Sequence, residues 1–288
     1  MSVKLLGPAE VRDLAELLGI QPTKKLGQNF VHDGNTVRRI VRAGGVEAGD
    51  EVLEVGPGLG SLTLGLLEAG ARVTAIEIDR RLAAQLPATA AELAPEASLT
   101  VITEDALKVT ELPTAPTHLV ANLPYNVSVP VLLHLLEHVP SLRRGLVMVQ
   151  AEVGERLAAA PGGRVYGAPS AKAAWYGRWS TAGLVSRQVF WPVPNVDSIL
   201  VGFARGELPG TEHERRRTFA LVEAGFGQRR KMIRQSLADA LGGAARVTAI
   251  AESAGIDPTA RSERLTVLDF LALARASEAS PGLATVSA

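Results

Sequence analysis

The chain of 288 residues contains no cysteine. Disulfides and thiolate metal sites are thereby excluded. It carries no net charge, since 30 basic residues balance 30 acidic ones. No overall field draws it toward a polyanion, so contact with nucleic acid must come from local basic patches. No apolar run approaches the ~20 residues that a membrane-spanning helix needs. The opening MSVKLLGPAEVRDLAELL is too charged for a signal peptide. There is no internal repeat. A cytoplasmic protein with no membrane partner is the expectation. What the chain does have is a 47% hydrophobic content, enough for one large domain or a large domain plus a small one.

Up to about residue 150, short apolar runs alternate with amphipathic segments. Residues 51–55, 72–78, 99–103, 119–121 and 145–149 read as strands, and 59–69, 79–93 and 129–139 as helices. Gly70 closes the first of those helices. This alternation predicts an α/β fold, a mostly parallel sheet covered on both faces. Residues 183–190 and 198–203 flank WPVPNVD and read as a late antiparallel pair closing the sheet. From Pro209 the pattern is helical only. The expected division is a Rossmann-like domain over 1–207, a small all-helical RNA-binding domain over 208–276, and a disordered tail over 277–288.

The first strand runs into Gly56-Pro57-Gly58-Leu59-Gly60. Glycines at a strand-to-helix turn let backbone approach a ligand with no Cβ in the way. Glu77 follows Gly56 by 21 positions, at the end of the second strand. An acid there can accept hydrogen bonds from both ribose hydroxyls. Asp105, after the third strand, can accept one from an adenine amino group. Taken singly, Asp105 as a turn cap or Glu77 as a solvated acid explains each as well. Together, at the carboxyl ends of successive strands, they point to an adenosine-containing ligand. One short G-x-G-x-G turn and no second nucleotide-binding half favour S-adenosylmethionine over NAD.

Asn122-Leu123-Pro124-Tyr125 ends the next strand at the same edge. The amino nitrogen of a purine is a poor nucleophile because its lone pair is delocalised into the ring. The Asn122 side-chain carbonyl can accept one of its N–H groups. The Leu123 backbone carbonyl, held outward by Pro124, can accept the other. Two acceptors at those angles favour a pyramidal nitrogen with its lone pair aimed at a methyl donor. Tyr125 supplies a face on which an extruded base can stack. An ordinary turn is the alternative for these residues.

In order, KKLGQNFVHD (24–33), VLEVGPGLGSLT (52–63), IEID (76–79), EDAL (104–107), NLPYN (122–126), VFWPVPNVDS (189–198) and FGQRRKMIRQSL (226–237) resemble the small-subunit ribosomal RNA adenine dimethyltransferases, the KsgA-type enzymes, over nearly the full chain. The resemblance implies a Rossmann-like S-adenosylmethionine-dependent methyltransferase domain with a small C-terminal all-helical domain. It implies that Asn29 and the backbone at Val31 cover the cofactor, that Gly56 and Gly58 lie against it, that Glu77 meets the ribose and Asp105 the adenine. It places Asn122 at both the cofactor and the target amine, and Phe190 across the flipped base from Tyr125. The implied reaction puts two methyl groups on N6 of each of two adjacent adenosines in a hairpin near the 3′ end of small-subunit rRNA, within an immature 30S-type particle, by a monomer without metal. The sequence departs from the family pattern at three places: Val31 stands where leucine is usual, Trp191 follows Phe190, and Ala151 replaces a familiar lysine.

Lys24 and Lys25, and Arg229, Arg230, Lys231 and Arg234 on one predicted helix, are candidate phosphate contacts. Arg215, Arg216 and Arg217 read as a solvated helix face. His134, Glu137 and His138 match an H-x-x-E-H metal pattern but fall opposite the apolar face of their helix, with no third ligand, so no metal is expected. Trp175, Tyr176 and Trp179 read as core packing of a helix on the sheet. The competing functions are a large-subunit rRNA adenine methyltransferase, an assembly or transcription factor on the same fold, and, more distantly, a nicotinamide dehydrogenase.

Overall fold

The computed structural model describes residues 3–20 and 29–279. They form two compact units. The first takes the chain up to Gly154 together with Trp179–Arg205, and the second takes Glu155–Arg178 and everything from Gly206 onward. Lys24 and Lys25 lie outside the described residues.

The chain order runs α1 (Pro8–Leu17), β1 (Phe30–Val31), α2 (Gly34–Ala43), β2 (Glu51–Val55), α3 (Ser61–Glu68), β3 (Arg72–Glu77), α4 (Arg80–Leu93), β4 (Leu99–Thr103), β5 (His118–Asn122), α5 (Ser128–His138) and β6 (Arg144–Gln150). It continues with α6 (Ala151–Leu157), α7 (Ala168–Ala174), β7 (Gly177–Val185), β8 (Phe190–Trp191) and β9 (Ser198–Arg205), then α8 (Glu212–Gly227), α9 (Ile233–Ser236), α10 (Ala238–Leu241), α11 (Ala244–Ser253) and α12 (Val267–Ala279).

In the first unit a seven-stranded sheet has the order β4-β3-β2-β5-β6-β9-β7. β4, β3, β2, β5 and β6 run parallel, and β9 is antiparallel to β6. Strands β2, β5 and β6 are almost wholly buried, which is why β5 and β6 read as apolar runs rather than alternating ones, whereas β2 buries Glu54 within it. Helix α3 carries Gly65 in its middle, where glycine costs about 1 kcal/mol relative to alanine. The reason is packing: a Cβ there would lie 2.2 Å from Val37 Cγ1 of α2. After β2 the chain moves to β3 and β4 on one side, then returns to β5 and β6 on the other. The carboxyl ends of β2 and β5 therefore flank a topological switch point, where open α/β sheets bind ligands.

The late pair differs from expectation. The strand beside β9 is Gly177–Val185, in which Trp179 stacks on Phe203 at 5.1 Å. Arg187–Val189 forms a 3₁₀ turn capped by Ser186. Phe190 and Trp191 then leave the large sheet and pair antiparallel with Val31 and Phe30. Pro192 and Pro194 follow, and with no N–H they cannot extend that ladder.

The second unit is helical, around Tyr166, Leu221, Val222, Ile233, Leu237, Val247, Ile250, Phe270 and Leu273. Residues 155–178, expected in the first domain, pack here. Trp175 and Tyr176 are buried edge-on to Phe219 of α8, at 6.0 and 6.3 Å, and the Tyr166 hydroxyl donates to the Leu265 carbonyl at 2.9 Å. The division therefore does not fall at 207/208, because these rings supply part of the helical core. At the far end α12 runs to Ala279 with Ser277 buried, so residues 277–279 of the expected tail are helical; 280–288 lie outside the described residues.

The basic residues depart from expectation in two places. Arg229, Arg230 and Lys231 are not on a helix with Arg234. Helix α8 stops at Gly227, Gln228 leaves helical geometry, and only Arg234 lies on α9. Arg215 is not solvated: it is 9% exposed, lies over the Phe219 ring at 5.0 Å and pairs with Glu212 at 2.7 Å.

Candidate active site

The expected strand-end residues converge on one cleft of the first unit, with about 970 Å³ of empty space opening to solvent. Its walls include Asn29, Val31, Gly56, Gly58, Glu77, Asp105, Asn122 and Pro124. Leu123, Tyr125 and Phe190 do not line it. Arg229, Arg230, Lys231 and Arg234 belong to the second unit.

The glycine turn is built from left-handed backbone: φ is +68° at Gly56, +58° at Gly58 and +96° at Gly60. At Gly58 close approach adds to conformation, because a Cβ would lie 2.8 Å from the Phe30 ring. The Gly58 amide donates to Glu77 Oε2 at 3.0 Å, and the Asp79 amide to Oε1 at 3.0 Å. Both carboxylate oxygens of Glu77 are thus oriented, each with a lone pair to spare. Burial pushes the Glu77 carboxyl up, while these amides hold it down. Asp105 Oδ1 accepts from the Leu107 amide at 3.0 Å. Asp105 thus caps a turn and also borders the cleft.

Gly58→Ala is expected to destabilise the protein by about 1–2 kcal/mol through the left-handed conformation alone. Displacement of Phe30 should also weaken cofactor binding. Thermal melting and titration calorimetry check the two effects.

Asn122 ends β5. Its Nδ2 donates to the Asn29 carbonyl at 3.0 Å, which fixes the side-chain carbonyl as the end left over for an incoming donor. The Leu123 amide donates to the Met148 carbonyl at 3.1 Å, and its own carbonyl accepts no backbone hydrogen bond among the described residues. The Tyr125 hydroxyl and Ser198 Oγ are 2.6 Å apart, tying that ring to the start of β9. Burial raises the Tyr125 phenol. Phe190 is 1% exposed and packed in the core, while its neighbour Trp191 stacks on Phe30 at 6.3 Å.

Other wall residues were not anticipated, among them Glu54, Ser61 and Ile78. Glu54 is 1% exposed, and Thr63 Oγ1 donates to its Oε2 at 2.7 Å. Ser61, in the first turn of α3, has a buried hydroxyl without a partner among the described residues. Ile78 is 58% exposed at the wall beside Glu77. For Glu54 a signal existed: Glu51 and Glu54 are three apart, so they face opposite sides of a strand.

His134 and His138 are engaged in their own helix region. His134 Nε2 lies 2.8 Å from the Val109 carbonyl and His138 Nδ1 lies 2.9 Å from the His134 carbonyl. Among the described residues no group of three or more histidine, cysteine, aspartate or glutamate side chains is placed to hold a metal. Among them, too, no helix is long and apolar enough to cross a membrane.

A switch-point cleft walled by a glycine turn, by acids at two successive strand ends and by a strand-end amide has the layout of an S-adenosylmethionine-dependent methyltransferase. Comparison with known proteins narrows the class. A family model described as "Ribosomal RNA adenine dimethylase" matches residues 20–278. A Leifsonia xyli subsp. xyli protein named "Ribosomal RNA small subunit methyltransferase A" is 70% identical over 275 residues, covering 94% of this chain and 98% of its own. Among solved structures, a dimethyladenosine transferase from Plasmodium falciparum superposes with TM-score 0.73 at 25% identity, over 85% of this chain and 95% of that one. The 23S rRNA methyltransferase ErmE superposes with TM-score 0.63 at 26% identity, over 86% and 99%. The chain belongs to the ribosomal RNA adenine dimethylase family, and is an enzyme that methylates ribosomal RNA with S-adenosylmethionine.

Proposed function

We propose that the protein dimethylates N6 of two adjacent adenosines in the 3′-terminal hairpin of small-subunit (16S) rRNA. It would act as a monomer on an immature 30S-type particle in the cytoplasm, where such particles are built. The 70% identity to a small-subunit enzyme, against 26% to a 23S enzyme, supports this substrate over the large-subunit one. The carrying observation is the Asn122 amide. Its NH₂ end is spent on Asn29, so its carbonyl is presented beside the glycine turn, where the target amine must sit.

The donor residues fit the cofactor. Glu77 and Asp105 offer acceptors to an adenosine, and the glycine turn leaves room for the rest. When bound, the cofactor supplies an electrophilic methyl group on a sulfonium. The chain's own residues orient the nucleophile. For the first transfer Asn122 Oδ1 and the Leu123 carbonyl accept the two N–H groups of the amine, directing its lone pair toward the methyl; the singly methylated amine has one N–H left to donate in the second. Alkylation makes the surplus proton strongly acidic, so it leaves to solvent without a dedicated base. Positioning accounts for most of the acceleration. Tyr125, its hydroxyl held on Ser198, offers a stacking face to the extruded adenine, and Phe190 must move from its buried place to offer a second. Lys24 and Lys25, with exposed Arg230, Lys231 and Arg234, would contact phosphates. Arg229 is partly committed to Glu263 at 3.0 Å.

Immature small subunits incubated with the protein and labelled S-adenosylmethionine, then digested for mass spectrometry, are expected to yield dimethyladenosine in the 3′-terminal hairpin. Label confined to large-subunit RNA, or absent, counts against the proposal.

A further inference from the structure

Arg187 and Asp197 stand 10 positions apart and close a loop between them. Arg187 opens the 3₁₀ turn that leads into β8, and Asp197 precedes Ser198, the first residue of β9. Arg187 Nε donates to Asp197 Oδ1 at 2.6 Å, and Nη1 donates to the Asn195 carbonyl at 2.9 Å. Two donors of one planar guanidinium thus grip two points of the loop. Among the described residues no backbone–backbone hydrogen bond involves 192–196, so this side chain is the loop's polar brace.

Both ends of the braced loop reach residues of the cleft. On the β8 side, Phe190 and Trp191 pair with Val31 and Phe30, and those two border the cleft. The His32 amide extends the pairing to the Val189 carbonyl at 2.9 Å. On the β9 side, Ser198 is fully buried and its Oγ lies 2.6 Å from the Tyr125 hydroxyl. The register of β9 against β6 ends at that same serine, opposite Gln150. Beyond it the Ala151 amide donates to the Asp197 carbonyl at 2.9 Å, and then the Arg187 brace takes over. The Tyr125 tether therefore hangs on the terminal residue of a strand, and Arg187 fixes how the chain enters that strand.

The bland account is a surface ion pair. Its side chains are 44% and 58% exposed, and such a pair adds little to stability. That account leaves the second arm unexplained, because it reaches a backbone carbonyl of the loop rather than a second charge.

We propose that Arg187 is a positioning residue for methyl transfer. It braces the β8–β9 loop so that Ser198 holds the Tyr125 ring in register with β8, and the extruded adenine meets a preset stacking face. Arg187 itself touches neither cofactor nor adenine. This rests on the reading that Tyr125 stacks the target base.

Single-turnover transfer by the full chain to immature small subunits tests it, with affinities for the particle and for S-adenosylmethionine measured separately. Arg187→Ala should lower the rate at saturating particle by about fivefold to tenfold, the part of base–aromatic stacking that a displaced ring forfeits. Both affinities should stay within about twofold, and the melting temperature within about 3 °C. Asp197→Ala should slow transfer to the same degree. Arg187→Lys keeps the charge but loses the fork, and should recover only part of the rate. In a Tyr125→Ala background, Arg187→Ala should change the rate by less than about twofold, because it acts through that ring. A wild-type rate in Arg187→Ala, or losses that multiply in the double variant, overturns the proposal. Weaker particle binding by Arg187→Ala but not by Asp197→Ala overturns it too, being the pattern of an arginine on a phosphate. So does a rate loss matched by lost cofactor affinity or a much lower melting temperature, the pattern of a merely structural brace. Normal transfer by Tyr125→Ala, even where Arg187→Ala is slow, would overturn the stacking reading and the proposal with it.

Discussion

Asn122→Ala is expected to lower the rate of methyl transfer by about 10²–10³-fold while leaving cofactor affinity within about tenfold. The magnitude is that of removing one preorganised polar group from a site where charge shifts in the transition state. Asn122 is anchored by its Nδ2 on the Asn29 carbonyl, so alanine removes an acceptor that needs no reorganisation when the amine arrives. The cofactor keeps Glu77, Asp105 and the glycine turn, which is why affinity should change little. Asn122→Asp retains an acceptor oxygen but sets it against the Asn29 carbonyl with no hydrogen to share, so its rate should fall between those of wild type and alanine. Single-turnover transfer to immature subunits is the measurement. Wild-type rates in the alanine variant would remove Asn122 from the chemistry.

The sheet and its cleft were legible because each strand end carried its own signal. The strands read as short apolar or β-branched runs, and the glycines, Glu77, Asp105 and Asn122 each stood at or just after the end of one. Glu54 was harder to read. It sits inside a strand, where an acid looks like an exposed position of an alternating pattern, and only the three-residue offset from Glu51 shows that both cannot face solvent. The β1–β8 pair escaped because a two-residue strand has no periodicity, and its partner is 161 positions away in register, Phe30 against Trp191. The unit boundary escaped for a related reason. Residues 155–178 carry a short helix and aromatic rings whose partner, Phe219, lies in a later segment; local pattern cannot say which core a tryptophan will join. The basic run at 229–234 was read as one helix because charge spacing tolerates a helix. The Gly225-Phe226-Gly227 sequence just before it is where α8 ends.

Glu77→Ala should have the larger effect on binding. The side chain does two jobs at once, holding the glycine turn through the Gly58 amide and the entry to α4 through the Asp79 amide, and leaving acceptor capacity for ribose hydroxyls. Alanine leaves both amides without that acceptor, at about 1–3 kcal/mol for each group that stays dry, and removes the ribose contact as well. A loss of cofactor affinity of about 10²-fold or more is therefore expected, with a lower melting temperature for the cofactor-free protein. The pH dependence separates the two jobs. Burial raises the folded-state carboxyl above its ordinary 4.5. For an acid raised in this way, the stabilising contribution to folding is fully present below the unfolded value and is lost as pH rises through the folded value. Ribose recognition has the opposite sign, since it needs the ionised form. Wild-type affinity should therefore begin to fall on acidification above pH 4.5, while the stability of the cofactor-free protein gains from the same protonation. Glu77→Gln should flatten both trends and bind with intermediate affinity, because one of its two positions presents an NH₂ to an amide donor. Calorimetry and melting across about pH 4 to 8 test this, and an affinity profile for Glu77→Gln that matches wild type would show that the ribose is recognised elsewhere.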